Sequence, residues 1–226
     1  MANSPRIPRS VFAETHVLPD WTIINHTLVA DFLAATFSNA VNFVHEVTLA
    51  AEAAAHHPDI DIRYPGKVRI TLTTHGASGL TDADPALAST ISNIAKVRGL
   101  VVSTDAVSQM EIAIDALDIA AVIPFWKAIL GYVEEVPAND GDPVDALLDP
   151  LRIGPALWFQ QMDEPRPQRN RIHLDLRIPH HLVEDRIASA IAAGGQLLTA
   201  EYARAFWVLA DPEGNEICLC TWQDRD

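Results

Sequence analysis

From residue 110 onward the chain passes twice through one order of elements, and this recurrence constrains the fold more than any single motif does. Residues 110–115 read as a strand and residues 120–130 as an amphipathic helix stopped by Gly131. Short strands are expected at 132–136, around 146–148 and at 156–161. A charged loop, MDEPRPQRN, follows, and then the order returns: strand 171–178, helix 182–193, a Gly194-Gly195 stop and strand 196–198. Strands 205–210 and 216–221, joined by the turn Asp211-Pro212-Glu213-Gly214, close the second copy. Two βαβββ units in one domain follow from element order alone.

The first hundred residues carry a different order. Residues 21–25 and 27–37 are rich in Thr, Ile, Val and Phe and suit two antiparallel strands. Ser38 or Asn39 then caps a helix that runs to about residue 55, and Pro58 prevents its continuation. Residues 60–64 and 67–74 form a hairpin around Pro65-Gly66, with Val68, Ile70 and Leu72 on its buried face. Thr81 or Asp82 opens a second helix that ends at Gly99. The expected order is ββαββα, an α+β arrangement. The expected organisation is a mobile arm over residues 1–14, a first domain over 15–98, a linker over 99–107 and a second domain over 108–226.

Charge separates the halves as well. Residues 1–100 carry seven Lys/Arg against nine Asp/Glu, or −2, and residues 101–226 carry nine against twenty-one, or −12, which together make the net −14. Six of the nine histidines fall in the first hundred residues. So acidic a surface repels phosphate backbones, which argues against nucleic acid as a partner. No apolar run approaches the ~18 residues of a membrane span, and the N-terminal residues lack the apolar core of a secretory signal. Cys218 and Cys220, the two cysteines, lie two apart in an expected strand, a spacing that rarely pairs, and a reduced cytoplasmic setting is expected.

The sharpest local signal is Glu52-x3-His56-His57-Pro58. Glu52 and His56 are four apart and are expected on one face of the last helical turn. His75 ends the second hairpin strand, and Asp84 stands at the start of the next helix. If the hairpin packs across the helix, three imidazoles and two carboxylates meet in an arrangement suited to moving protons in both directions. Adjacent histidines point in different directions and no His pair is spaced i,i+4, so a proton-transfer site is favoured over a metal site here. A set of surface histidines at a helix end is the plain alternative.

The stretch EAAAHHPDIDIRYPGKVRITLTTHGASGLTDADPALA resembles the signature of pterin-4a-carbinolamine dehydratases, over about residues 15–98. The resemblance implies a four-stranded antiparallel sheet with helices on one face, and assembly as a homo-oligomer. It implies a pterin pocket lined by His56, His57 and His75, with Glu52 and Asp84 in support, and a small pterin as substrate with no further cofactor. The implied activity is that of a hydro-lyase: dehydration of 4a-hydroxytetrahydropterin by histidine acid/base catalysis. Ala55 and Gly76 stand where acids are frequent in that pattern, and the stretch from Tyr64 to His75 is one residue longer.

Residues 108–223, with PFWKAILGY, NRIHLDLRI and ADPEGNEICL, resemble the glyoxalase-like branch of the vicinal-oxygen-chelate superfamily. The ligand positions of metal-using members fall on Gln109, a residue among 158–160, His173 and Cys218, of which His173 alone is a standard ligand; Glu216 lies two residues before the last. A metal-free pocket lined by Trp126, Trp158, Phe159, Phe206 and Trp207 is therefore expected, with His173 and Glu216 nearby. Arg171 and Arg204 either address an anionic ligand or solvate the rim. Two other readings stay open: a non-catalytic dimerisation or regulatory protein, and a metal-dependent lyase or dioxygenase activity in the second domain.

Overall fold

The computed structural model describes residues 5–103, 107, 109–136, 143–165, 174–221 and 223–224. The chain divides into two compact units, Met1–Gln109 and Met110–Asp226.

The first unit begins with helix α1, Arg9–Thr15, where the sequence suggests a mobile arm. Its Phe12, 1% exposed, belongs to the unit's core, so one apolar side chain ties this turn of helix down. Strands β1 (Thr22–Ile24) and β2 (Thr27–Leu33) form the first hairpin. Helix α2, Phe37–Ala54, starts earlier than Ser38 or Asn39 would allow, because the Thr36 side chain accepts the Asn39 N–H at 3.1 Å and acts as the cap. Strands β3 (Asp59–Arg63) and β4 (Lys67–Leu72), helix α3 (Ala83–Val97) and strand β5 (Val101–Ser103) follow.

The four expected antiparallel strands lie in the order β1-β2-β4-β3. Residues 101–103, expected within a linker, add a fifth by pairing with Asp31–Leu33 of β2. Alternation sends Leu28, Ala30 and Phe32 of β2 and Val68, Ile70 and Leu72 of β4 into one core with Phe43, Val47 and Ala51 of α2 and Leu87 and Ile91 of α3. Asp31 lies on the opposite face, fully buried under Arg69, which grips it through two bonds of 2.7 and 2.8 Å, and Lys67 at 3.0 Å. At the β3–β4 turn, Gly66 sits so close to the exit of β2 that a Cβ would stand 2.5 Å from the Ala34 carbonyl oxygen.

In the second unit the doubled order expected from sequence is present. The first copy is β6 (Glu111–Ala116), α4 (Ile119–Leu130), β7 (Val133–Glu134), β8 (Ala146–Leu148) and β9 (Ala156–Gln161). The second is β10 (Leu174–Arg177), α5 (Val183–Ala192), β11 (Gln196–Thr199), β12 (Phe206–Ala210) and β13 (Glu216–Cys220). The two sheets, β6-β9-β8-β7 and β10-β13-β12-β11, share one topology, in which the first strand lies parallel to the last of its own copy. A single core takes Ile114, Phe125, Trp126 and Ile129 from the first copy and Leu209, Ile217 and Leu219 from the second. Among the described residues no helix is long and apolar enough to cross a membrane.

Candidate functional site

The end of α2 decides where the two adjacent histidines go. Ala55 adopts a left-handed conformation (φ 47°), its N–H reaching the Glu52 carbonyl at 3.1 Å while the His56 N–H reaches the Ala51 carbonyl at 3.1 Å. These are the two crossed bonds of a Schellman ending, here without glycine. The chain reverses at this point, so Glu52 and His56 do not meet as their i,i+4 spacing suggests. Glu52 instead pairs with His57 (3.3 Å), and both side chains are more than half exposed. His56 turns inward, and its Nε2 lies 2.9 Å from Asp84 Oδ1.

Asp84 is fully buried and its other oxygen is equally committed. Oδ2 accepts the Thr81 backbone N–H at 2.7 Å and the Thr74 hydroxyl at 2.9 Å. The Thr81 hydroxyl lies 2.8 Å from that of Thr74 and accepts the Ala83 N–H at 3.3 Å. Asp84, in the first turn of α3, thus reaches back to the Thr81 N–H as in one half of a capping box, while the Thr81 hydroxyl takes the Ala83 N–H. Its T-x-x-D spacing is legible in sequence, yet sequence reasoning passed over Thr74 and Thr81 as members of the site. His75 directly follows Thr74, opens a short 3₁₀ turn and is exposed. Asp84 therefore ties the helix end bearing His56 to the strand end bearing His75. Beside His56 a cavity of about 200 Å³ is lined by Ala50 and Ala54 of α2 and by Ala83, Ala86, Leu87 and Thr90 of α3.

The N-terminal segment braces the same loop. The Ile7 N–H donates to the Leu80 carbonyl at 2.8 Å, and the Arg6 side chain lies over Gly79 and reaches His26 Nδ1 at 2.9 Å.

In the second unit the residues expected to line a pocket differ widely in burial. Trp126 is a correction: it is 1% exposed in the core, on the inner side of α4, and its indole N–H donates to Asp211 at 2.9 Å. Phe159 is a core residue as well, and Trp207 is half-buried against that core. Trp158, on β9, is 38% exposed. Arg204 is exposed and makes a two-bond pairing with Asp224 (3.0 and 2.7 Å). Glu216 and Cys218 are half-buried on β13, and His173 and Arg171 lie outside the described residues. Burial, with the charge of Asp175 beside it, pushes the Cys218 thiol up to about 11. Among the described residues no three His, Cys, Asp or Glu side chains gather as a metal site.

Comparison with known proteins assigns both units. Residues 8–94 match the family model described as Pterin 4 alpha carbinolamine dehydratase, and residues 111–220 match that of a Glyoxalase-like domain. A provisionally named pterin-4-alpha-carbinolamine dehydratase of Chloroflexus aurantiacus is 50% identical over 91 residues, 40% of this chain and 97% of that protein. The chain belongs to the pterin 4 alpha carbinolamine dehydratase family. A second relative carrying that name provisionally, from Chloroflexus aggregans, is 54% identical over 77 residues, 34% of this chain and 81% of its own. Among solved structures, a transcriptional coactivator/pterin dehydratase from Brucella melitensis is 29% identical, covering 40% of this chain and 98% of that one at a TM-score of 0.38. The dehydratase match includes α1 and every residue of the Glu52–Asp84 constellation, and the glyoxalase-like match runs from the first strand of one βαβββ copy to the last strand of the other.

Proposed function

We propose that the first unit dehydrates 4a-hydroxytetrahydropterin to quinonoid dihydropterin, with His56, His57 and His75 as the proton-handling groups, Asp84 and Glu52 in support and no further cofactor. One observation carries the reading: the buried Asp84 joins the His56 ring to the strand end where Thr74 precedes His75. In the reaction the C4a–O bond breaks and an imidazolium gives its proton to the departing hydroxide, forming water. A neutral imidazole takes the proton from N5, and the electron pair left there forms the new C4a=N5 bond. Each such positioned group is worth about 10²–10⁴ in rate. Two adjacent histidines with different carboxylate partners, one buried and one exposed, suit the two roles. The protein would act as a homo-oligomer in the cytoplasm, with the glyoxalase-like unit as an appended small-molecule-binding module.

The test is the decay of 4a-hydroxypterin absorbance with and without protein. The wild type should accelerate it, and His57→Ala and His75→Ala should each slow the catalysed rate by about 10²-fold or more. Wild-type rates from both variants would remove the assignment.

A further inference from the structure

We infer that Thr74 is a positioning residue for this dehydration, acting through Asp84 to fix the ring of His56; the inference rests on the function proposed above. Hydrogen counting sets the direction of every bond. Thr81 Oγ1 accepts the Ala83 N–H at 3.3 Å and lies 2.8 Å from Thr74 Oγ1. Thr74 has one hydroxyl proton, and its 2.9 Å contact to Asp84 Oδ2 consumes it, because a carboxylate accepts and does not donate. The Thr81 hydroxyl proton therefore goes to Thr74, and its own 3.4 Å approach to Asp84 is the weaker alternative. The result is a directed chain, Ala83 N–H to Thr81 to Thr74 to Asp84.

With Oδ2 held by Thr74 and by the Thr81 N–H, the carboxylate plane is fixed and Oδ1 is left to face His56 Nε2 at 2.9 Å. His56 Nε2 must then carry the hydrogen, so in the neutral ring Nδ1 holds the lone pair. A third group that fixes the tautomer of a working imidazole is a recurrent device, and losing it leaves the ring in the wrong proton state. Thr74 is suited to the task for a further reason: it is the last residue before His75, so one hydroxyl sets the strand end and the His56 ring against the same carboxylate. The Asp84 bond to the Thr81 N–H serves the start of α3, and the Thr74 bond to the same oxygen links that carboxylate to the strand end beside His75.

The experiment compares Thr74→Val, which keeps the shape and removes the hydroxyl, with Thr74→Ser, which restores it. Two readouts are taken on the full chain: steady-state dehydration and the ring ¹⁵N shifts of His56. The expected result for Thr74→Val is a kcat lower by about tenfold, the lower end of what losing an outer hydrogen-bond partner of a working imidazole costs. KM should stay within about twofold, as for an interaction made in the transition state. The His56 shifts should move from the Nε2–H form to a mixture of tautomers, and Thr74→Ser should return both readouts to wild type. Thr74→Val with wild-type kcat and unchanged His56 shifts overturns the proposal. A wild type that does not accelerate dehydration, while Thr74→Val still mixes the tautomers, overturns the function and leaves the Thr74–Asp84–His56 linkage supported.

Discussion

At the scale of single residues, two side chains have protonation behaviour that the fold dictates. Burial pushes the Asp31 carboxyl upward, but the hydrogen bonds and charges of Arg69 and Lys67 outweigh it and hold the group below its ordinary 3.8. A carboxyl lowered in the folded state stabilises fully above its unfolded value, and the contribution is lost as pH falls through the folded one. Urea unfolding of the wild type should thus lose stability below about pH 4, and Asp31→Asn should lack that part of the acid slope. At pH 7 the same variant should cost about 1–3 kcal/mol, since it strips a charged partner from two cations that remain partly solvated. Cys218 moves the other way. With its thiol raised to about 11, it should be alkylated about 10²-fold more slowly at pH 8 than an unperturbed thiol, as peptide mass spectrometry can follow.

Elements show which features of the sequence carried structural information. Ala55 holds a left-handed ending that L-residues other than glycine resist by about 1–2 kcal/mol. The position is exposed, so Ala55→Gly should raise stability by up to about 1 kcal/mol in a denaturant titration, the unfolded chain's added freedom offsetting part of the gain. Gly66→Ala should act in the opposite sense, costing about 1–3 kcal/mol, because the obstacle is backbone rather than a movable side chain. Element identity was legible wherever periodicity and a breaker agreed: Gly131 after α4, Pro58 after α2 and the alternating β4 all fall where the pattern puts them. Three features were not legible, each for a physical reason. The α1 helix rests on a single anchoring side chain, Phe12, which makes no period. The β5 strand is three residues long and exists through pairing with β2, a long-range contact. The pairing of Glu52 with His57 instead of His56 depends on a backbone reversal at an alanine, which carries no turn signal of its own. Asp84 was legible as a site residue, but the threonines that orient it lie seven residues apart and meet because the loop between β4 and α3 folds back. The wide aromatic set of the second unit misled for the ordinary reason that aromatics on an inner helix face fill the core first, as Trp126 does.

For the molecule as a whole, the two units are built on different principles, and their cores show it. The dehydratase unit's core and the side chains packed against it come from Ile7 to Val102. The glyoxalase-like core is shared between two copies of one motif: α4 of the first packs on α5 of the second, and Gly195 is placed where any Cβ would strike the Phe125 ring. Neither βαβββ copy encloses its apolar face alone, so the pair should unfold as one body. Ile129, fully buried at the end of α4, tests this. Ile129→Ala should cost about 2–5 kcal/mol through the lost contacts and the cavity left behind. Hydrogen exchange should then show weakened protection in β12 and β13 of the second copy as well as in β6 and β9 of the first, while amides of α2, β4 and α3 keep theirs. Protection lost in the first copy alone would mean that the repeats are independently stable and that their common core is a contact rather than a cooperative unit.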